Sequence, residues 1–436
     1  FLALRQARRP GLWAAVSAAT PLWLFAVAYW RIAEFELDLA WGAAALGLGG
    51  LALLAATLVR RDGERLGGSL ALGAYATATV AATSLALAMT LEQAWLTVAL
   101  ALQLPALAWI HGHLKERTLQ VVAALVASAV LVRLALNPFV VDYALTGGFL
   151  NWLLYGYGLP AAAFFLAARA FGGGADRRLV MLLDAGALLF AKLLITLQIR
   201  NAVVGPLDAP EHPLLEQALQ SLAWLILALG LQRVAAPGIQ PVAAWGARIL
   251  TLLAGAQVFL LQLVLSNPIH DPAMPIHGSL GVNILTLAYA APAVLFVLLA
   301  RGYRGAGGRG FAAACGLAAL VLAAAYLTLE VRHAFHPLIL AGGAVGDAEL
   351  YAYSAVWLVY AGALLAYALR SGSAVLRHVS LAVLLGVTAK VFLVDMGSLT
   401  GLYRVASFLG LGLCLVGIGF LYQRVVFPSA RRRGTS

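Results

Sequence analysis

Ionisable side chains inside apolar runs are the first candidates for chemistry. Lys192 stands eight residues before Arg200 in LLFAKLLITLQIR (188–200). On a helix that spacing is roughly 12 Å. Glu330 and Arg332 lie in LTLEVRHAFH (327–336), and Lys390 precedes Asp395 in TAKVFLVD (388–395). Arg404 follows in the next run. A charge at the centre of a bilayer costs about 2.5–3.5 kcal/mol on insertion scales, so such groups pair with one another or line a cavity. On an α-helix Lys390 and Asp395 point about 140° apart, so each is expected to seek partners on other helices. Lys192, Arg200, Glu330, Arg332, Lys390, Asp395 and Arg404 are therefore the candidate ligand-binding residues. Glu330, Arg332, Lys390 and Asp395 are expected to form one charge-paired cluster that reaches Arg404.

Other constellations are weaker. Glu34, Glu36 and Asp38 share one loop, where paired carboxylates could hold a divalent metal or act as a base. Acidic residues in that loop also follow from topology alone. His333 and His336 are three apart, and His270, Asp271 and His277 share another loop. A zinc site needs three or four ligands, and neither set defines one, so no metal is expected. His111 and His113 are two apart and do not share a helix face. Cys315 and Cys414 sit in apolar runs, which argues against a disulfide framework or a thiolate metal site. No phosphate-binding loop, nucleophile elbow or dinucleotide fingerprint occurs in a suitable context, so no cofactor is expected. The Gly-rich LGLGLCLVGIGF (409–420) is a span with small residues for close helix packing.

These residues need a scaffold, and composition names it. Of 436 residues, 63% are hydrophobic and 11% charged. The charged share is about 25% in an ordinary soluble domain. Mean hydropathy is +0.91. A soluble globule could not hide so much apolar surface. Alternating ten-residue strands are absent, which excludes an outer-membrane barrel. Cutting at charge, Pro and Asn clusters predicts an all-α, polytopic membrane protein of about 14 transmembrane helices over 1–436. The third and fourth spans are separated only at Glu92 and Gln93. Most of the 29 Lys and Arg fall on the N-terminal arm and every second connection. By the positive-inside rule both termini are expected to be cytoplasmic. The basic balance then reflects orientation in the membrane, not nucleic acid. Phe1 in first place suggests a portion of a longer chain.

A repeat is also expected. NWLLYGYGLP (151–160) resembles NILTLAYAAP (283–292), and ITLQIRNAV (195–203) resembles LTLEVRHAF (327–335). Glu216, Ser221 and Trp224 match Glu349, Ser354 and Trp357, and Gln257 matches Lys390, all offset by 132 or 133 residues. The period covers four spans, so copies at 149–266 and 280–395 would be parallel, with a possible decayed copy at 38–136. Asn151, Asn283, Glu216 and Glu349 start helices, where they can cap free N–H groups. Arg200 and Arg332 end helices and are placed to pair with Glu216 and Glu349.

The segments LTLEVRHAFH (327–336), ELYAYSAVWLVY (349–360) and the run 388–424, with NWLLYGYGLPAAAF (151–164), resemble the bacterial predicted-membrane-protein family known as domain of unknown function 2339. The resemblance covers most of the chain and is strongest in its final hundred residues. It implies further helices in a longer protein and carries no activity.

The first functional expectation is a bacterial inner-membrane protein acting in transport, or as an envelope-associated scaffold or sensor, through a polar site facing the periplasm. The alternative is an envelope enzyme acting on a lipid-linked or periplasmic substrate. Expected partners are membrane lipids, a periplasmic small molecule, ion or lipid ligand, and a second copy of the chain or further helices of a longer one. Nucleic acid is not among them.

Overall fold

The computed structural model describes residues 9–34, 36–62, 68–91, 93–114, 117–136, 150–235, 240–305, 308–396 and 402–421. Its fourteen α-helices, counted among those residues, are α1 (Pro10–Ala33), α2 (Leu39–Asp62), α3 (Gly68–Thr90), α4 (Gln93–Leu114), α5 (Arg117–Leu136), α6 (Leu159–Phe171) and α7 (Arg177–Val203). They continue as α8 (Leu214–Val234), α9 (Pro241–Ala256), α10 (Ala291–Gly305), α11 (Arg309–Phe335), α12 (Asp347–Ser371), α13 (Ala374–Lys390) and α14 (Leu402–Leu421). Twelve helical stretches are long and apolar enough to cross a membrane; α6 and α14 are the two remaining helices. The fold is that of a polytopic helical membrane protein. α3 ends at Thr90 and α4 begins at Gln93, so two helices are separate where the sequence predicts two spans.

Four described stretches wind more loosely than an α-helix. π-Turns occupy Leu154–Gly158, Gln257–Leu265, Thr286–Ala290 and Val391–Asp395. In a π-turn each N–H reaches back five residues instead of four. The Met396 N–H donates to the carbonyl of Val391 at 3.0 Å, and that of Ser266 to Leu261 at 2.6 Å. The pair at 154–158 and 286–290 is separated by the interval between Asn151 and Asn283.

The described chain divides into two compact units. One holds residues up to His212 together with Val234–Ile249; the other holds Pro213–Arg233 and the residues from Leu250 onward.

In the first unit, α4 to α7 share a core in which Leu104, Phe164, Leu183 and Phe190 are fully buried. The Phe164 and Phe190 rings lie 5.6 Å apart. Gly186 on α7 lets Phe164 approach: a Cβ there would stand 2.4 Å from the ring, the close approach that small residues permit between membrane helices. Asp176 starts α7 by accepting the Arg178 N–H at 2.9 Å. Asp184, deeper in α7, pairs with Arg169 of α6 at 2.6 Å. The acidic loop serves α2: Asp38 Oδ1 accepts the N–H of Ala40 at 2.6 Å, which satisfies a helix-end donor.

In the second unit, α10 to α13 pack in sequence order. Gly372 ends α12 in the left-handed conformation, and Ser373 starts α13 by accepting the Leu376 N–H at 3.4 Å. A short hairpin pairs Gly278–Ser279 with Val282–Asn283. The loop before it is tied to the loop after α11, with Ile276 N–H donating to Leu338 O at 2.7 Å.

Candidate functional site

The site lies in the second unit, where the C-terminal ends of α11 and α13 meet the start of α12. Three polar groups gather there, and each is closed on itself.

Arg332, near the end of α11, is buried. Its Nη1 donates to both oxygens of Glu349 on α12, at 2.9 and 3.0 Å. Its Nε donates to Leu340 O at 3.0 Å, and Nη2 donates to Gly342 O and Gly343 O. Gly342 and Gly343 both hold positive φ, near 76° and 75°, so the loop can turn those carbonyls toward the guanidinium. Glu349 also accepts from Tyr353 at 2.9 Å and meets His336 Nε2 at 3.1 Å.

Glu330 faces a different neighbour. It accepts from Asn283 Nδ2 at 2.8 Å and from the Gly281 N–H at 3.3 Å, with His333 Nδ1 at 3.8 Å. Asn283 meanwhile caps the π-turn that follows, accepting the Leu285 N–H at 2.8 Å.

Lys390 and Asp395 form the third group. The ammonium donates to Asp395 Oδ1 at 2.7 Å, to Ser354 Oγ at 2.7 Å and to Leu350 O at 3.0 Å. Ser354 in turn donates to Asp395 Oδ2 at 2.5 Å. The Asp395 side chain is 2% exposed and that of Lys390 31%. This ion pair therefore has one reachable partner and one sealed one.

The single cluster expected from the sequence is thus three. Glu330 and Arg332 are two apart on α11 and do not face the same way. The expected divergence of Lys390 and Asp395 is also corrected. The π-turn at Val391–Asp395 inserts an extra residue into the turn, so residues five apart stack and the pair closes directly. Arg404 lies on α14, and its side chain is outside the described residues. Lys192 and Arg200 belong to the first unit. Lys192 is half-buried on α7. Arg200 is buried and repeats much of the Arg332 pattern: Nε donates to Leu207 O at 3.0 Å, Nη2 to Ala209 O, and Nη1 to Glu211 O at 3.1 Å.

The Lys390 arrangement also has a neutral counterpart within the second unit. Gln257 Nε2 donates to Gln217 O at 2.8 Å. Gln262 Nε2 donates to Gln217 O at 2.9 Å and to Ser221 Oγ at 3.0 Å. These positions correspond in order to Lys390, Leu350, Asp395 and Ser354, and both arrangements sit on π-turns. Likewise, Asn151 and Gln198 exchange amide hydrogen bonds at 3.1 and 3.2 Å where the later residues are Asn283 and Glu330. Gln262 is a member of these polar groups that sequence reasoning missed. The offset that relates Gln257 to Lys390 would have found it when applied to Asp395.

Beside these groups, Thr328, Trp357, Tyr360, Val379 and Val383 line an apolar cavity of about 470 Å³. Trp357 Nε1 donates to Thr328 Oγ1 at 3.1 Å and Tyr360 to Leu320 O at 2.9 Å, which removes the polar atoms of its wall from competition. Among the described residues, no three His, Cys, Asp or Glu side chains converge as a metal set.

A family model described as a predicted membrane protein, DUF2339, matches residues 1–425. The chain belongs to that family. This DUF2339 chain matches no curated protein and no solved structure. Its functional reading therefore rests on the three polar groups and their counterparts.

Proposed function

We propose that this chain is the membrane-embedded part of a bacterial inner-membrane transport protein, with its polar site open to the periplasm. The observation that carries the reading is the Lys390–Asp395 pair. It lies at the end of a membrane-length helix, is half open on the lysine side, and is built on a π-turn. Ionisable groups in spans mark ion and substrate pathways, and π-turns recur at functional sites. The charge asymmetry of the connections supports cytoplasmic termini. That orientation places the 333–348 loop and the three polar groups on the periplasmic side.

We further propose that 149–266 and 280–395 are two parallel copies of one four-helix unit. The matched π-turns, the matched Asn caps and the matched Arg-to-loop contacts support it. In this reading the second copy is the one that works, because it converts amides into charges. Arg332 and Glu349 hold its loop, and Lys390 and Asp395 respond to the transported ion.

Proton movement is the direct test. Proteoliposomes containing the protein and an entrapped pH-sensitive dye are polarised with a potassium gradient and valinomycin. Proton entry above that of protein-free vesicles is expected, falling to background in Asp395→Asn. Equal entry in both preparations would reject proton coupling and leave a scaffold or sensor. Sidedness is tested separately by impermeant thiol labelling of single cysteines in intact cells. The 201–214 and 333–348 loops should label; labelling of 301–310 instead would reverse the orientation.

A further inference from the structure

A second cleft, of about 200 Å³, lies in the first unit and is walled by α2, α3, α4 and α5. Its wall is sorted by polarity. Arg60, Leu72 and Thr118 line one end. Arg60 stands two residues before the end of α2, Leu72 four after the start of α3 and Thr118 one after the start of α5. Gly73 of α3 lies directly against Thr118, where a Cβ would come within 2.4 Å of its hydroxyl. Leu53 and Val80 line the other end with Leu107. Val80 follows Leu72 by eight residues, so the cleft runs roughly 12 Å into the bilayer.

Four polar side chains face this space, Thr57, Arg60, Thr79 and Thr118. Thr57 donates to Leu54 O at 2.7 Å and Thr79 to Tyr75 O at 2.9 Å, so both are satisfied within their own helices. Arg60 and Thr118 are bonded to no described residue. Both stand at the end nearer the membrane surface. A guanidinium offers a fork of donors that matches a phosphate. The first N–H groups of α5, beside Thr118, have no acceptor within the helix, and that end of a helix favours an anion. Basic pockets between helices at a membrane face bind anionic lipid head groups.

Below these two residues the shape selects the rest of the ligand. A volume of about 200 Å³ spread over about 12 Å leaves a channel roughly 5 Å wide. Apolar carbons pack about 3.5–4.0 Å apart, so a single file of methylenes fits. A helix, about 10–12 Å across, does not. Leu53 is 54% exposed, so the cleft opens on the lipid-facing side.

We infer that this cleft seats one anionic phospholipid, with its phosphate on Arg60 and Thr118 and one acyl chain running toward Leu53 and Val80. No hydrogen bond among the described residues has to open to admit it. The site shares no residue with the three polar groups of the second unit, so it stands whether or not those carry ions. In the orientation proposed above the lipid belongs to the cytoplasmic leaflet, but its binding does not depend on that orientation.

The test is native mass spectrometry of the purified full chain in detergent, with equal amounts of phosphatidylglycerol and phosphatidylcholine of matched chains. One phosphatidylglycerol should be retained in preference to phosphatidylcholine. Arg60→Gln should weaken its retention about fivefold, the effect of one basic group at an anionic surface. Arg61→Gln, which removes a neighbouring charge outside the cleft, should leave retention unchanged. Ala76→Leu places a side chain in the channel and should abolish retention while the protein still melts cooperatively. Glycerol 3-phosphate, the head group without chains, should not displace the lipid at a hundredfold excess. Equal retention of both lipids, or equal losses in Arg60→Gln and Arg61→Gln, would overturn the inference and leave only attraction to a basic surface. Undiminished retention in a folded Ala76→Leu would overturn it as well. If Ala76→Leu does not fold, the head-group competition decides: displacement by glycerol 3-phosphate rejects the seated chain.

Discussion

Two π-turns in this protein solve one packing problem in different currencies of charge. At 257–265 two glutamines satisfy the start of α8 with neutral amides. At 391–395 a lysine and an aspartate do the same for the start of α12, with full charges. The carbonyl and hydroxyl they address correspond one to one. The backbone therefore does not require the ion pair, since amides fill the same geometry. A charge that costs a few kcal/mol in a bilayer, present where an amide suffices, points to use and not to architecture.

The strongest way to break this comparison is to strand one charge. Asp395→Ala should destabilise the protein by about 3 kcal/mol, because removing one partner of a buried pair leaves the other uncompensated. The double variant Lys390→Gln/Asp395→Gln should recover most of that loss, since it installs the amides of the earlier turn. Reversible unfolding in mixed micelles measures both. A double variant no better than the single one would show that the two turns are not interchangeable.

The reciprocal change is smaller. Gln262→Asp alone buries a carboxylate without an ammonium and should cost about 2 kcal/mol, with the acid escaping part of the penalty by protonating. Its loss of stability should therefore grow as pH rises. A pH-independent loss would mean that the position is wetter than its burial indicates. The smallest effect is expected away from the charges. Trp357→Phe removes the donor to Thr328 Oγ1, and one neutral hydrogen bond contributes about 1 kcal/mol. The proton entry proposed for the wild type should be unchanged in this variant if the cavity wall only packs.

The helices were legible because apolar runs broken by charge leave little choice of boundary. The sequence predicts spans at 117–136, 310–329 and 349–370; α5 keeps the first, α11 runs on past the second to take in Glu330 and Arg332, and α12 begins two residues before the third at Asp347. The turns were not legible. A π-turn adds one residue to a helix, and it shows in sequence only when an amphipathic stripe jumps phase. A helix that is apolar on all sides has no stripe to jump. Lys390 and Asp395 were therefore placed on divergent faces when they are bonded. Arg332 and Glu349 were readable as a pair because their positions at neighbouring helix ends do not depend on helical phase. Glu330 was assigned to the wrong group because its partner, Asn283, had already been given a capping role; the Asn side chain does both.

The Arg332 clasp also bears on the order in which the protein is made. A chain synthesised from its N-terminus delivers α11 with the guanidinium in place, while Leu340, Gly342 and Gly343 follow and Glu349 arrives 17 residues later. Until then the arginine has neither its loop carbonyls nor its carboxylate. The end of α11 is consequently a waiting point in assembly, completed by the helix that comes after it, and α11 and α12 must enter the membrane as a couple if neither is to rest there with a bare charge.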